Sequence, residues 1–247
     1  MTLRAALALL LAVVMPQGAA ALNCAEQTFE GVGYAVCEVG TGDDLRLFQA
    51  GPEGVFGSFG AVDRALAVEG LQLGFAMNAG MFHSDLSPVG LYVEDGVEAA
   101  PLITQDGPGN FGLLPNGVFC FGGGAGFAVI ESRAFAKVDR TCRQATQSGP
   151  MLVIGGDLHP RFLPASDSLN IRNGVGVSAD GARAVFAISN GPVNFHTFAR
   201  FFRDALELPD ALYLDGSISR LYAPQLGRRD IGFSAIGPIV GVVQSKG

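Results

Sequence analysis

Three Asx-Gly dipeptides, each set between short runs of β-prone residues, constrain this chain most. They are Asp95-Gly96 in "GLYVEDGVEAA", Asn116-Gly117 in "LLPNGVFCF" and Asp180-Gly181 in "GVGVSADGARAVFAIS". Both central residues of a tight hairpin turn need φ > 0, which Asx and Gly tolerate best, so each dipeptide predicts an antiparallel hairpin. "PMLVIGGDLHP" predicts a fourth. Helical periodicity occurs twice. Residues 58–72 place Val62, Leu66 and Leu71 near one face. Residues 194–208 place Phe198, Phe202, Ala205 and Leu206 at helical spacing behind a cap at Asn194 or Thr197. Sheet and helix are mixed without strict βαβ alternation. The expected fold is α+β: a largely antiparallel or mixed β-sheet of hairpins with packed helices, in a single domain.

That domain is expected to span residues 22–247. Residues 1–21 have a basic start at Arg4, the apolar run "AALALLLAVVM" and a small-residue end, the pattern of a secretory signal peptide cleaved after Ala21. Asn23 before Cys24 disfavours a lipoprotein. Cleavage removes one base and no acid, taking the formal charge from −7 to −8. An acidic chain without a basic run argues against nucleic acid as a partner. No later stretch is long and apolar enough for a membrane span. Four cysteines, all in the exported part, predict two disulfides in a periplasmic or secreted protein. Three connectivities are open; Cys24–Cys37 with Cys120–Cys142 closes two local loops and is preferred.

Five segments combine turn residues with polar groups. Residues 77–92 carry Asn78, His83 and Asp85; 146–153 carry Ser148; 168–177 carry Arg172 and Asn173; 187–198 carry Asn190. In 211–222 the apolar run "ALYL" stops on Asp215, followed by Gly216, Ser217, Ser219 and Arg220. No Gly-x-Ser-x-Gly elbow, His-Glu-x-x-His helix, phosphate-binding Gly-Lys loop or calcium loop is present. The histidines are His83, His159 and His196 alone, so no metal site is assigned and no cofactor is expected, although a divalent ion at a phosphate stays open. Carboxylate, amide, hydroxyl and guanidinium groups remain, which suit an oxygen-rich sugar or phosphate ester. Each candidate also has a plain structural alternative. Asp215 and Asp85 suit turns, His83 suits a fixed structural contact, Asn78 and Asn190 suit backbone caps, and Arg172 suits a surface ion pair.

Five blocks in order, "MNAGMFHSDLSPVGLYVEDG", "TQSGPMLVIGGDLHP", "IRNGVGVS", "AISNGPVNFHTFARFFRD" and "ALYLDGSISRLYAP", resemble the phosphodiester glycosidase family, in its bacterial exported branch, over roughly residues 45–243. The family's turn after the aspartate is of the Asp-Gly-Gly-Gly-Ser type; here it reads Asp215-Gly216-Ser217-Ile218-Ser219, a departure that bears on the substrate. The resemblance implies a hydrolase that cleaves a glycosyl phosphodiester or a related surface glycan. On that reading Asp215 stabilises an oxocarbenium-like sugar or activates water. Asn78, His83 and Asp85 hold hydroxyls or share proton transfer. Arg172 takes the phosphate. Gly216 permits close approach, and Asn173, Ser148, Asn190, Ser217 and Ser219 line the substrate. The rival from another class is a non-catalytic carbohydrate-binding or exopolysaccharide-assembly protein with the same pocket.

Overall fold

The computed structural model describes residues 22–124, 126–215 and 218–246. The expected signal peptide, Gly216 and Ser217 therefore lie outside the described residues. In chain order the strands begin with β1 (Asn23–Phe29), β2 (Val32–Gly40), β3 (Asp44–Phe48), β4 (Ala50–Gly51) and β5 (Gly54–Val55). Helix α1 (Phe59–Ala67) leads to β6 (Leu71–Asn78), β7 (Tyr92–Glu94), β8 (Val97–Ala100), β9 (Gly117–Phe121) and β10 (Ala128–Glu131). After the short α2 (Ser132–Phe135) come β11 (Gln144–Ser148), β12 (Met151–Ile154), β13 (Asp157–Leu158), β14 (Asn173–Val177) and β15 (Arg183–Ser189). Helix α3 (Phe195–Arg200) runs into a π-turn over Phe201–Ala205, followed by β16 (Asp210–Tyr213), β17 (Leu221–Ala223), β18 (Arg228–Arg229) and β19 (Ile239–Ser245).

Three large sheets carry the fold, with orders β1-β2-β15-β14-β16-β12-β13, β10-β9-β11-β7-β8 and β18-β17-β6-β19-β3. Each strand pairing among the described residues is antiparallel, β2 with β15 and β6 with β19 included. Strand accounts for 41% and helix for 12%, so the α+β label holds only loosely and the sheets dominate.

Side-chain alternation explains how the sheets pack. Along β15, Ala184, Phe186 and Ile188 enter a core shared with Phe75 and Met77 of β6 and Phe119 and Phe121 of β9. Val185 and Ala187 point the other way, against Phe198, Phe201 and Phe202. The centre of the seven-stranded sheet is thus buried on both faces. Strand β14 shows why "NGVGV" alternates glycine with valine. A Cβ on Gly176 would lie 2.6 Å from Leu208 Cδ1 and 2.9 Å from Phe202 Cδ1, so only glycine lets the helical layer approach.

Turn chemistry is reproduced at three sites. Asp95 and Gly96 have φ 51° and 82° between β7 and β8, and Gly155 and Gly156 have φ 55° and 89° between β12 and β13. Gly181 (φ 68°) lies in the longer β14–β15 connection. Asn116-Gly117 is a correction: Gly117 opens β9 and Asn116 is buried, its amide donating to Phe111 O at 2.9 Å. That side chain fastens a loop to a strand end and makes no hairpin.

The helices also differ from expectation in detail. Helix α1 ends at Ala67, and Leu71 begins β6. Asn194 caps α3 by accepting from Thr197 N at 2.8 Å. The following π-turn, closed by Leu206 N to Phe201 O, widens the helix. It brings Phe201 inward beside Phe198 and Phe202 and leaves Ala205 exposed. The disulfides are Cys24–Cys37 and Cys120–Cys142, the pairing that closes the shorter loops.

Candidate active site

Four strand ends, drawn from all three large sheets, meet at one place. Asn78 ends β6, Ser148 ends β11, Asn173 begins β14, and Asp215 follows β16 by two residues. Leu214 is anchored in the core, so the chain can turn only after Asp215, which leaves that carboxylate just beneath the surface at 4% exposure. A carboxylate so nearly buried needs a donor. Asn78 supplies it, Nδ2 donating to Asp215 Oδ2 at 2.7 Å. The same amide accepts at Oδ1 from Arg220 N at 2.8 Å.

Further bonds fix this pair. Asn173 Nδ2 donates to Asn78 O at 3.1 Å, and Ser219 Oγ is placed against Asn173 Oδ1 (3.3 Å) and Ile171 O (3.1 Å). From the third sheet, Ser148 Oγ donates to Leu214 O at 2.8 Å and Thr146 Oγ1 to Ala79 O at 3.0 Å. One strand therefore holds the chain neighbour of each residue of the pair, Ala79 after Asn78 and Leu214 before Asp215. Thr146 was missed as a site-supporting residue. Its signal was the Thr-x-Ser alternation, which sets both hydroxyls on one face of a strand.

A cavity of about 680 Å³ opens beside this network and shares Ser219 and Arg220 with it, its wall also including Arg228, Arg229 and Asp230. Asp230 engages Arg228 through Nε and Nη2, both at 3.0 Å, and so neutralises it. Arg220 donates to Ser234 O at 2.7 Å and Arg229 lies over the Tyr222 ring; among the described residues neither forms a salt bridge. Two uncompensated cations therefore face an open space in a chain of net charge −7. The sequence hid this, because β17 and β18 must pair before Arg220, Arg228 and Arg229 converge.

Arg172 is a correction in geometry. Its side chain is wholly buried, with Nε donating to Val193 O (2.8 Å), Nη1 to Tyr213 Oη (3.3 Å) and Nη2 to Ser168 O (2.9 Å). Its guanidinium lies 3.6 Å from the centre of the Phe195 ring. Phe195 stacks on Phe162 and Phe162 on His159, a four-layer column under the sheet. Burial pushes the Arg172 pKa down from its ordinary value and raises that of Tyr213 to about 12; the Asp215 charge adds to the latter rise and Arg172 opposes it. Tyr213 is thus a neutral phenol accepting from a cation. A guanidinium buried in this way and held at all three nitrogens braces the site from behind and does not line the cavity.

The remaining candidates are scattered. His83 and Asp85 are exposed on the 82–88 turn, where Asp85 Oδ1 accepts from Ser87 N (3.0 Å) and Ser87 Oγ (2.6 Å). These bonds hold the Asp85 pKa below its usual range. Among the described residues no hydrogen bond joins either side chain to the Asn78–Asp215 pair. Asn190 is exposed and bridges Glu26 Oε2 to Arg228 Nη1, both at 2.7 Å, one contact removed from the cavity. No group of three or more His, Cys, Asp or Glu arranged to hold a metal occurs among the described residues.

A family model for phosphodiester glycosidase matches residues 72–235, which include each strand end of this site. Among curated proteins, Escherichia coli (strain K12) YigE, an uncharacterized protein, is 40% identical over 151 residues. That match covers 61% of this chain and 58% of the relative, so this chain spans well under two thirds of it. Among solved structures, the catalytic domain of zebrafish N-acetylglucosamine-1-phosphodiester alpha-N-acetylglucosaminidase, auto-inhibited by its pro-peptide, superposes with TM-score 0.63. Identity there is 13%, with 92% of this chain and 84% of that one covered. A hypothetical protein from Synechocystis gives TM-score 0.59 at 14% identity, covering 90% of this chain and 61% of its own. At such identities the likeness is one of fold.

Proposed function

Because the chain belongs to the phosphodiester glycosidase family, we propose that it is an exported hydrolase that frees a sugar from a glycosyl phosphodiester by breaking the anomeric carbon–oxygen bond. The observation that carries this reading is the buried Asn78–Asp215 pair, whose hydrogen-bond network shares Ser219 and Arg220 with the wall of a cavity that also holds Arg229. Two disulfides support an oxidising compartment. In the described residues no helix is long and apolar enough to cross a membrane.

The chemistry balances without a further reagent. Water adds to the anomeric carbon as the carbon–oxygen bond breaks, and the bonding pair leaves on the phosphate oxygen. The surplus proton of the water passes to Asp215 and then to solvent. Free sugar and a phosphate monoester result. The Asp215 charge opposes the positive charge that builds on the sugar. Arg220 and Arg229 meet the charge that builds on the phosphate, in place of the buried Arg172. Asn78 keeps one Asp215 oxygen fixed, so the carboxylate need not reorient during the reaction.

The test is release of free sugar from a panel of sugar-1-phosphate diesters, N-acetylglucosamine esters among them. In ¹⁸O-labelled water the label should enter the sugar. Label in the phosphate would mean phosphorus–oxygen cleavage and end this reading. Retention on immobilised glycan without release would favour the non-catalytic carbohydrate binder.

A further inference from the structure

The loop after β18 exposes two large apolar side chains beside the cationic cavity. Ile231 is 95% exposed and Phe233 114%, the highest values among the large apolar residues described. A protein seldom leaves two such residues bare, two positions apart, unless something covers them in use. Their position says what. A second cavity, of about 450 Å³, adjoins the first and is lined by Phe59, Tyr222, Ile231, Phe233 and Ile236 together with Arg220 and Arg229. The two arginines, Ile231 and Asp230, the last already paired with Arg228, border both cavities. Ile171 and Ile218 add apolar surface on the side of the first. Gly232, between the two exposed residues, packs against the Arg220 guanidinium, which would have to shift to admit a Cβ there. The apolar loop and the cation are therefore built against each other.

We propose that the alcohol carried on the phosphate of the substrate is a hydrocarbon chain. The phosphate sits between Arg220 and Arg229, and the chain leaves it across Ile231 and Phe233 into the second cavity. Charge and apolar surface in this order match an anionic amphiphile: one phosphate charge at the arginines, then a hydrophobic tail. A hydrophilic second sugar would leave both side chains bare. This rests on the phosphodiester glycosidase reading for the identity of the head, while the recognition of phosphate and chain stands on the loop alone.

Titration calorimetry with methyl phosphate and decyl phosphate, the latter below its micelle concentration, separates the two claims. Decyl phosphate should bind about 100-fold tighter, the gain from burying a few methylenes. In Ile231→Ser/Phe233→Ser the ratio of the two affinities should fall towards one, and in Arg220→Gln both ligands should weaken together. Equal affinity of the intact protein for the two phosphates overturns the proposal, as does an unchanged ratio in the double variant. A dimer in solution that Ile231→Ser/Phe233→Ser converts to monomer, without any chain-length effect, would give the loop to a second copy and likewise overturn it. Should decyl phosphate bind as expected while no glycosyl phosphodiester releases sugar, the chain site holds and the glycosidase reading fails.

Discussion

The Asn78 amide donates to the Asp215 carboxylate at 2.7 Å and joins the ends of β6 and β16, strands of different sheets. The contact demands a donor on one side and an acceptor on the other, which makes it sensitive to single-atom changes. Asp215→Asn removes charge and basicity while keeping shape. Sugar release should fall by about 10²–10⁴, with a melting temperature within a few degrees of the parent. A folded Asp215→Asn protein with most of its activity would end the proposed mechanism.

Asn78→Asp places two carboxylates at hydrogen-bonding distance. They must share a proton, so one pKa rises. Urea unfolding should show a loss of about 1–3 kcal/mol at neutral pH, partly recovered in acid. Unchanged stability at neutral pH would mean that the bond does not form in solution.

Arg172 should behave as a structural residue. Arg172→Met removes a donor from the Val193 and Ser168 carbonyls and the Tyr213 phenol and a buried cation from the Phe195 ring, at a cost of about 2 kcal/mol or more. Arg172→Lys keeps the charge but cannot reach three acceptors, and should also melt early. A Lys variant of full stability with a raised KM for phosphate-bearing substrates would return Arg172 to the phosphate.

Burial holds the His159 pKa below its ordinary 6.5. Its folded-state value being depressed, His159 contributes stability that is present above about pH 6.5 and lost as the pH falls through the lower folded value. The unfolding free energy should therefore decline from pH 7.5 to pH 5, and His159→Gln should flatten that decline. Parallel slopes in the two proteins would refute the assignment. Asp85, Asp180 and Asp204, held below the usual carboxylate range, act only in more acid solution.

Alkylation of the denatured, unreduced protein should find no thiol. Cys120 and Cys142 are 22 residues apart, so replacing both with Ser should cost about 3 kcal/mol by loop entropy. Two or more reactive thiols in the native preparation would contradict the pairing.

What the sequence made legible was local. Asp95-Gly96, Gly155-Gly156 and Asp180-Gly181 set their own turns, and the Asn194 cap and the Phe198 spacing describe a helix wherever they stand. Asn116-Gly117 misled because its two residues serve distant partners. Asn116 bonds to Phe111, and Gly117 makes room for Met151, whose Cγ would lie 3.0 Å from an added Cβ. Arg172 and Asn173 are adjacent, and consecutive residues entering a strand face opposite sides. Only Asn173 turns towards Asp215, a choice fixed by which face of β14 the helix covers. The family blocks marked Asp215 and Asn78 together, but Arg229 reaches its place only through the β17–β18 pairing, and Phe233 reads as ordinary core until its exposure is seen.

Strand β19, residues 239–245, lies between β6 and β3, and Ile239 is the direct partner of Asn78. In a chain made from its N-terminus, β6 waits for more than half the sequence to follow before its central neighbour arrives. Closing so long a loop is slow compared with forming hairpins. The strand that carries the amide of this amide–carboxylate pair therefore gains its central neighbour only late in synthesis. A chain cut short before residue 239 would carry Asn78 and Asp215 and still lack the strand that sets the end of β6 in register.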